Sequence, residues 1–235
     1  MLSLQGGDSL QYRITALDNA AVPNVRTIPS EGFFSVKIEQ INSLQESDTT
    51  NFAYSSGDFL TSGFTVTVPQ GFTNFGLHTK HPYESPEESG DSIGYIAMLR
   101  TPVRYDESGM MISFNEVVLV EPGEEGAPFG NDYFYDYVAV EGSRDFGKSW
   151  FYLADGYDSR LKDQWLAAYN SSIVANNSTY SGTSSMLVNH TIFPKVSLFI
   201  SPGDTMLVRF RLFSDPYANG WGWVIEDLHI GPVID

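Results

Sequence analysis

Met206 to Ile230 reads MLVRFRLFSDPYANGWGWVIEDLHI. Two runs rich in β-branched and aromatic residues, Met206 to Phe213 and Val224 to Ile230, flank a stretch containing Asp215-Pro216 and Asn219-Gly220, pairs that form loops. Strand, turn, strand is the expectation, with the second run as the last strand. Upstream the same alternation recurs in short bursts separated by Gly, Pro, Asp and Asn. The candidate strands there are Gln11 to Ala16, Phe33 to Ile41, Gly63 to Val68, Ile93 to Leu99, Met110 to Val120, Tyr135 to Gly142, Trp150 to Leu153 and Ser184 to Thr191.

One segment departs from this pattern. In DSRLKDQWLAAYN, Leu161, Trp165, Leu166 and Tyr169 fall at helical spacing behind Asp158 or Ser159 as candidate N-caps. It reads as one short helix in a long connection, and the SSIVANNSTYSGTSS that follows reads as a surface loop. About ten short strands and a single helix predict an all-β fold, a two-sheet antiparallel β-sandwich of jelly-roll type. The expected organisation is an N-terminal extension or extra strands over 1–34 and the sandwich over 35–235.

Composition narrows the function classes. Within 235 residues, 29 Asp and Glu stand against 13 Lys and Arg, a net charge of −16 that repels nucleic acid and anionic membrane surfaces. Neutral partners such as glycans or proteins, or a cation such as Ca²⁺, fit better. The lack of cysteine removes disulfides, thiolate zinc sites and thiol catalysis together. No apolar run reaches the roughly 18 residues of a membrane span, so membrane insertion is not expected. The start of the chain has no signal-peptide pattern, so export implies a signal outside this sequence.

Several motifs bear on chemistry. Ser143 to Trp150, SRDFGKSW, fits the Asp-box hairpin: Asp145 to cap turn amides, Gly147 to take a positive φ, and Trp150 to return to the core. His78 and His81 lie in a Pro-rich loop followed by acids, which is a weak pattern for zinc and a better one for a structured loop. In Met110 to Val120, Ile112, Phe114, Val118 and Val120 share a parity with Glu116, and a carboxylate on that face needs a partner. No nucleophile elbow, metalloprotease helix or phosphate-binding glycine loop occurs. If Phe134, Val138 and Val140 face inward, then Tyr133, Tyr135 and Tyr137 form an aromatic ladder on the other side. Four N-x-S/T triplets are treated as chance in a Ser/Asn-rich chain.

From about Ser35 onward, FNEVVLVEPGE, DYVAVEGSRDFGKSW, LADGYDSRLKDQWLAAYN and VRFRLFSDPYANGWGWVIEDLHI resemble the jelly-roll module of large secreted multi-domain bacterial proteins. More broadly, the closing strand is similar to those of MAM, reelin-repeat and carbohydrate-binding-module sandwiches, and of the C-terminal domains of immune-inhibitor-A-type peptidases. The resemblance implies a secreted or cell-surface location, neighbouring domains in a larger chain, and a structural Ca²⁺ held near the sandwich edge by Glu226 and Asp227. By parity Glu226 points inward, so it needs either that cation or a salt bridge to Arg209 or Arg211.

The expected function is that of a non-catalytic accessory or adhesion module binding glycan or protein. The ligand-binding candidates are Tyr217 and Trp221 as an exposed platform, with Tyr135 and Tyr137. A carboxylate-dependent glycan-cleaving enzyme on a jelly roll, and a purely structural domain, are the alternatives.

Overall fold

The computed structural model describes residues 4–55, 57–84, 90–194 and 200–233. Two compact units are present, Met1–Asn42 and Ser43–Asp235. In the first, β1 (Ser9–Tyr12), β2 (Ile14–Leu17), β3 (Val25–Ile28) and β4 (Phe34–Lys37) form two antiparallel pairs, β1 with β4 and β2 with β3. The candidate strand Gln11 to Ala16 is therefore two strands that break at Arg13. Phe34–Lys37, expected at the head of the sandwich, pairs instead with Ser9–Tyr12.

The second unit contains β5 (Asp48–Thr50), β6 (Phe59–Ser62), β7 (Phe64–Thr67), β8 (Gly76–Thr79), β9 (Ile93–Leu99), β10 (Val103–Arg104), β11 (Met110–Leu119), β12 (Tyr137–Ser143) and β13 (Phe151–Tyr152). After helix α1 (Asp163–Asn170) come β14 (Ile173–Val174), β15 (Asn177–Ser178), β16 (Val188–Ile192), β17 (Thr205–Ser214) and β18 (Gly222–Pro232). One sheet runs β13-β12-β17-β9-β6 with β10 beside β17, and the other runs β16-β11-β18-β8-β7 with β5 beside β18. The named strand pairs are antiparallel, and the fold is a two-sheet jelly-roll β-sandwich.

Both strands of the Met206 to Ile230 stretch lie inside their sheets, β17 in one and β18 in the other. Their inward rings meet between the layers. Phe210 on β17 stands edge-on to Trp223 on β18 at 5.7 Å and to Phe114 on β11 at 5.8 Å, and Phe64 on β7 meets Trp223 at 6.0 Å. Phe114, Phe210 and Trp223 are fully buried. Each such side chain contributes roughly 1.5–3 kcal/mol by leaving water, which makes these four rings the central fastening between the sheets.

Glu116 occupies the inward face that parity assigns to it and is fully buried. Its carboxylate accepts from the Tyr157 hydroxyl at 2.8 Å, the Trp223 indole N–H at 2.7 Å and His190 Nδ1 at 2.6 Å. The partner the sequence required is thus a set of three donors, one of them the central tryptophan.

The helix is shorter than its spacing implied. Asp158 caps a 3₁₀ turn over Ser159–Leu161 by accepting from the Arg160 amide, Lys162 is extended, and α1 starts at Asp163. Trp165 and Tyr169 are buried as expected, but Leu161 lies in the preceding turn and is exposed. Similarly, Ser184 to Thr191 divides into a 3₁₀ turn over Ser184–Met186 and strand β16.

The Asp-box turn forms as expected, but Trp150 does not return to the core. Asp145 accepts from the Ser149 amide and from the Ser143 and Ser149 hydroxyls, Gly147 has φ 86°, and the Trp150 indole donates to the Gly147 carbonyl. These bonds hold the Asp145 carboxyl down at about 2, the Ser149 hydroxyl contributing most. Trp150 remains half-buried, with the Arg209 guanidinium 4.1 Å over its ring.

Candidate functional site

A cleft of about 630 Å³ opens beside the turn that joins β17 to β18. Three segments build it: the loop after β7 at Gln70 and Gly71, His81 and Pro82 after β8, and the connection from Val174 to Thr183, closed by Asn219 and Trp221. The last connection was expected to be a surface loop, but it is fastened to the sandwich. Ala175 and Asn176 take positive φ between β14 and β15, turning the chain back on itself. The Ser178 amide donates to the Asn219 carbonyl at 2.9 Å, and Asn177 Oδ1 accepts from the Asn219 amide at 2.8 Å. Gly182 comes so close to Trp221 that a Cβ there would lie 2.8 Å from the indole.

Trp221 is 6% exposed and cannot act as an open platform. His81 stacks on its indole at 3.7 Å and 4° interplanar angle, Phe72 at 5.5 Å and 14°, and His78 stacks in turn on His81 at 4.8 Å. Only a margin of the indole reaches the cleft. Tyr217 is 70% exposed, but it does not line the cleft and so does not join Trp221 in a common surface. The ring the cleft does present is Tyr180, which is 38% exposed. Gln70 and Ser181 are exposed beside it. Among the described residues, the Gln70 amide and the Ser181 and Tyr180 hydroxyls make no hydrogen bond, so they are free to meet a ligand.

His78 and His81 form no metal site among the described residues. His78 Nδ1 bonds the Thr79 carbonyl at 2.8 Å and its Nε2 pairs with Thr67 Oγ1 at 2.7 Å. His81 Nδ1 donates to the Trp221 carbonyl at 2.8 Å. Burial pushes the His81 imidazole down to about 4, so it is neutral at physiological pH.

The tyrosine ladder is not formed, because β12 begins only at Tyr137. Tyr137 stacks on Phe213 at 5.0 Å and packs edge-on against Phe129, while the Tyr135 hydroxyl donates to Glu124 at 2.9 Å. Tyr137 is committed to packing and Tyr135 to a surface hydrogen bond.

Glu226 and Asp227 do not suit a shared calcium. Glu226 is 2% exposed and accepts from Asn74 Nδ2 at 3.2 Å, with its Oε1 buried and unpartnered. Burial raises its carboxyl above the usual range. Asp227, at φ 51° where the pairing with β11 shifts register, is exposed and accepts from Asn115 Nδ2 at 3.0 Å. Among the described residues neither belongs to a convergent group of metal-ligating side chains, and Ca²⁺ takes six to eight oxygens. The salt-bridge alternative fails as well, since Arg209 and Arg211 both turn to Glu141, at 2.5 and 3.7 Å.

Three other carboxylates do converge, from the ends of three strands: Glu121 after β11, Asp136 before β12 and Asp215 after β17. One oxygen of each lies within 4.8 Å of the others. The buried Asp136 accepts from the Tyr83 hydroxyl and, at 2.8 Å, from the Asp215 amide, while Glu121 Oε2 is buried without a partner. Burial, reinforced by Asp215, pushes Glu121 up to about 7, and burial also raises Asp136 well above the carboxylate range. Both shifts favour the protonated forms of Glu121 and Asp136, which eases the crowding of like charge.

No family model matches the chain, and no curated protein matches it. Solved structures similar to it include a cleaved adhesin domain of Lys-gingipain from Porphyromonas gingivalis, at 12% identity over 81% of this chain and 100% of that one, TM-score 0.45. Others are TmCBM61 in complex with β-1,4-galactotriose, at 10% identity over 78% and 99%, TM-score 0.38, and the non-crystalline cellulose specific carbohydrate-binding module CBM28, at 11% over 80% and 87%, TM-score 0.41. Similarity this low leaves every residue role to this chain's own geometry.

Proposed function

We propose that the protein is a non-catalytic accessory module that binds glycan in the cleft between Gln70, Tyr180 and Trp221. One observation carries the reading: a concave site combines a partly exposed ring with unpaired amide and hydroxyl groups, on rigidly tied loops. Sugars offer an apolar ring face and a rim of hydroxyls, which is the complement of that lining. The fastened loops favour binding, because little conformational entropy is left to lose. Location outside the cell, in a larger bacterial protein, belongs to the same proposal and rests on the sequence resemblance. No step of it runs through calcium.

The glycan-cleaving alternative requires two carboxylates flanking a bond, and among the described residues no acid lines the cleft. Affinity electrophoresis against a polysaccharide panel tests the reading. Tyr180→Ala is expected to weaken binding roughly threefold to tenfold, the equivalent of one aromatic contact. Tyr217→Ala, outside the cleft, is expected to leave it unchanged. Loss of binding in Tyr217→Ala with retention in Tyr180→Ala would move the site to the exposed turn and reject the cleft.

A further inference from the structure

Among the described residues, the cleft is uncharged in a strongly acidic chain: of the 14 that line it, none is Asp, Glu, Lys or Arg. The single titratable imidazole, His81, lies between His78 and Trp221 with Nδ1–H committed to the Trp221 carbonyl. Its low affinity for protons keeps the wall neutral across physiological pH.

Charge decides which sugars such a wall admits. Uronate, sulfate and sialate groups are ordinarily met by Arg or Lys, whose charge-assisted hydrogen bonds offset the removal of an anion from water. Among the described residues this cleft supplies no cation, and a net charge of −16 adds a repulsive field at longer range. The polar groups it does supply, the Gln70 amide and the Ser181 and Tyr180 hydroxyls, are neutral and exchange hydrogen bonds with hydroxyls at little desolvation cost.

We infer that the cleft selects uncharged glycans and rejects anionic ones, a specificity set by a wall that holds no cation among the described residues. The inference rests on the glycan reading above and narrows it. It also identifies Gln70 as the position where specificity can be switched, because that side chain is exposed at the cleft and free of other duties.

The test compares the wild-type protein with Gln70→Lys on two sets of soluble polysaccharides in about 0.15 M salt. The neutral set is galactan, xylan, mixed-linkage β-glucan and galactomannan; the anionic set is polygalacturonate, alginate and hyaluronan. Wild type is expected to bind at least one neutral polymer and to bind every anionic one at least about tenfold more weakly. Gln70→Lys is expected to raise affinity for an anionic polymer severalfold, in a salt-sensitive manner, with an unchanged melting temperature. Wild-type affinity for an anionic polymer equal to its best neutral one would overturn the inference while leaving glycan binding standing. A lysine at position 70 that gains nothing on the anionic set would overturn it too. Silence on both sets sinks the glycan reading itself.

Discussion

Raising the pH should destabilise this protein through Glu121, and replacing that residue should remove the effect. Glu121, Asp136 and Asp215 crowd together, yet among the described residues the donors to Asp136 are only the Tyr83 hydroxyl and the Asp215 amide. The Glu121 carboxyl rises from the ordinary 4.5 to about 7, first because it is buried and second because Asp215 lies close. An acid whose folded pKa lies above its unfolded value binds more protons when folded, so stability falls as pH climbs through that interval. At about 1.36 kcal/mol per pH unit the interval is worth about 3 kcal/mol, or about 2 once the water that reaches part of Glu121 is allowed for. Urea unfolding at steps from pH 5 to 8 reads the effect. Wild type should lose stability up to about pH 7 and then level off. Glu121→Gln, which keeps the shape and removes the ionisation, should lose about 2 kcal/mol less over the same range. The general repulsion of an acidic chain affects both proteins alike, so the difference between the two curves isolates the cluster. Parallel curves, or a wild type that gains stability from pH 5 to 7, would refute the assignment of protons to Glu121.

Glu116→Ala leaves two buried donors, Tyr157 and Trp223, and the half-buried His190 without an acceptor and is expected to cost about 3–5 kcal/mol. Glu116→Gln should cost about 1–2 kcal/mol, since an amide oxygen still accepts from Tyr157 and Trp223 while its NH₂ can donate to a neutral His190. Equal losses in denaturant melts would show that packing rather than hydrogen bonding holds that site. Gly182→Ala drives a methyl group against the Trp221 indole and should destabilise by about 1–3 kcal/mol with weakened polysaccharide binding. A variant with unchanged melting and affinity would mean that the connection yields and does not hold the cleft wall.

What the sequence disclosed follows the range of the physics involved. Ile93–Leu99 and the long strand from Met110 were legible because alternation over seven or more residues reports two faces directly. Gly76–Thr79 was not: four residues buried in succession give no alternation to read. Phe59–Ser62 and Val25–Ile28 were missed through brevity. Glu116 was legible as a problem, since parity turned a charge inward, but its donors arrive from a loop and two other strands. The site shows the same division. The exposure expected of Trp221 is not found, because the rings and glycine that cover it come from segments remote in sequence. Tyr180, Gln70 and Ser181 carried no local signal beyond membership of polar loops. The convergence of Glu121, Asp136 and Asp215 is likewise invisible until three strand ends meet at one place.

Tyr83 ties these separate features together and explains why the cleft lies where it does. Its hydroxyl caps Asp136 and accepts from the Glu121 amide at 3.0 Å, its carbonyl accepts from Asn219 Nδ2 at 2.9 Å, and its amide donates to the Gly220 carbonyl. A single buried residue therefore joins the carboxylate cluster to the turn that forms the cleft's floor. Tyr83 is thereby anchored at both ends, and Asn219 in turn fixes the connection at Asn177 and Ser178. The cleft wall, which carries no charged side chain among the described residues, is thus built beside a cluster of three crowded carboxylates. Ionisation of Glu121 as the pH rises past about 7 sets its charge against Asp215 and should loosen the turn before it alters the sandwich core.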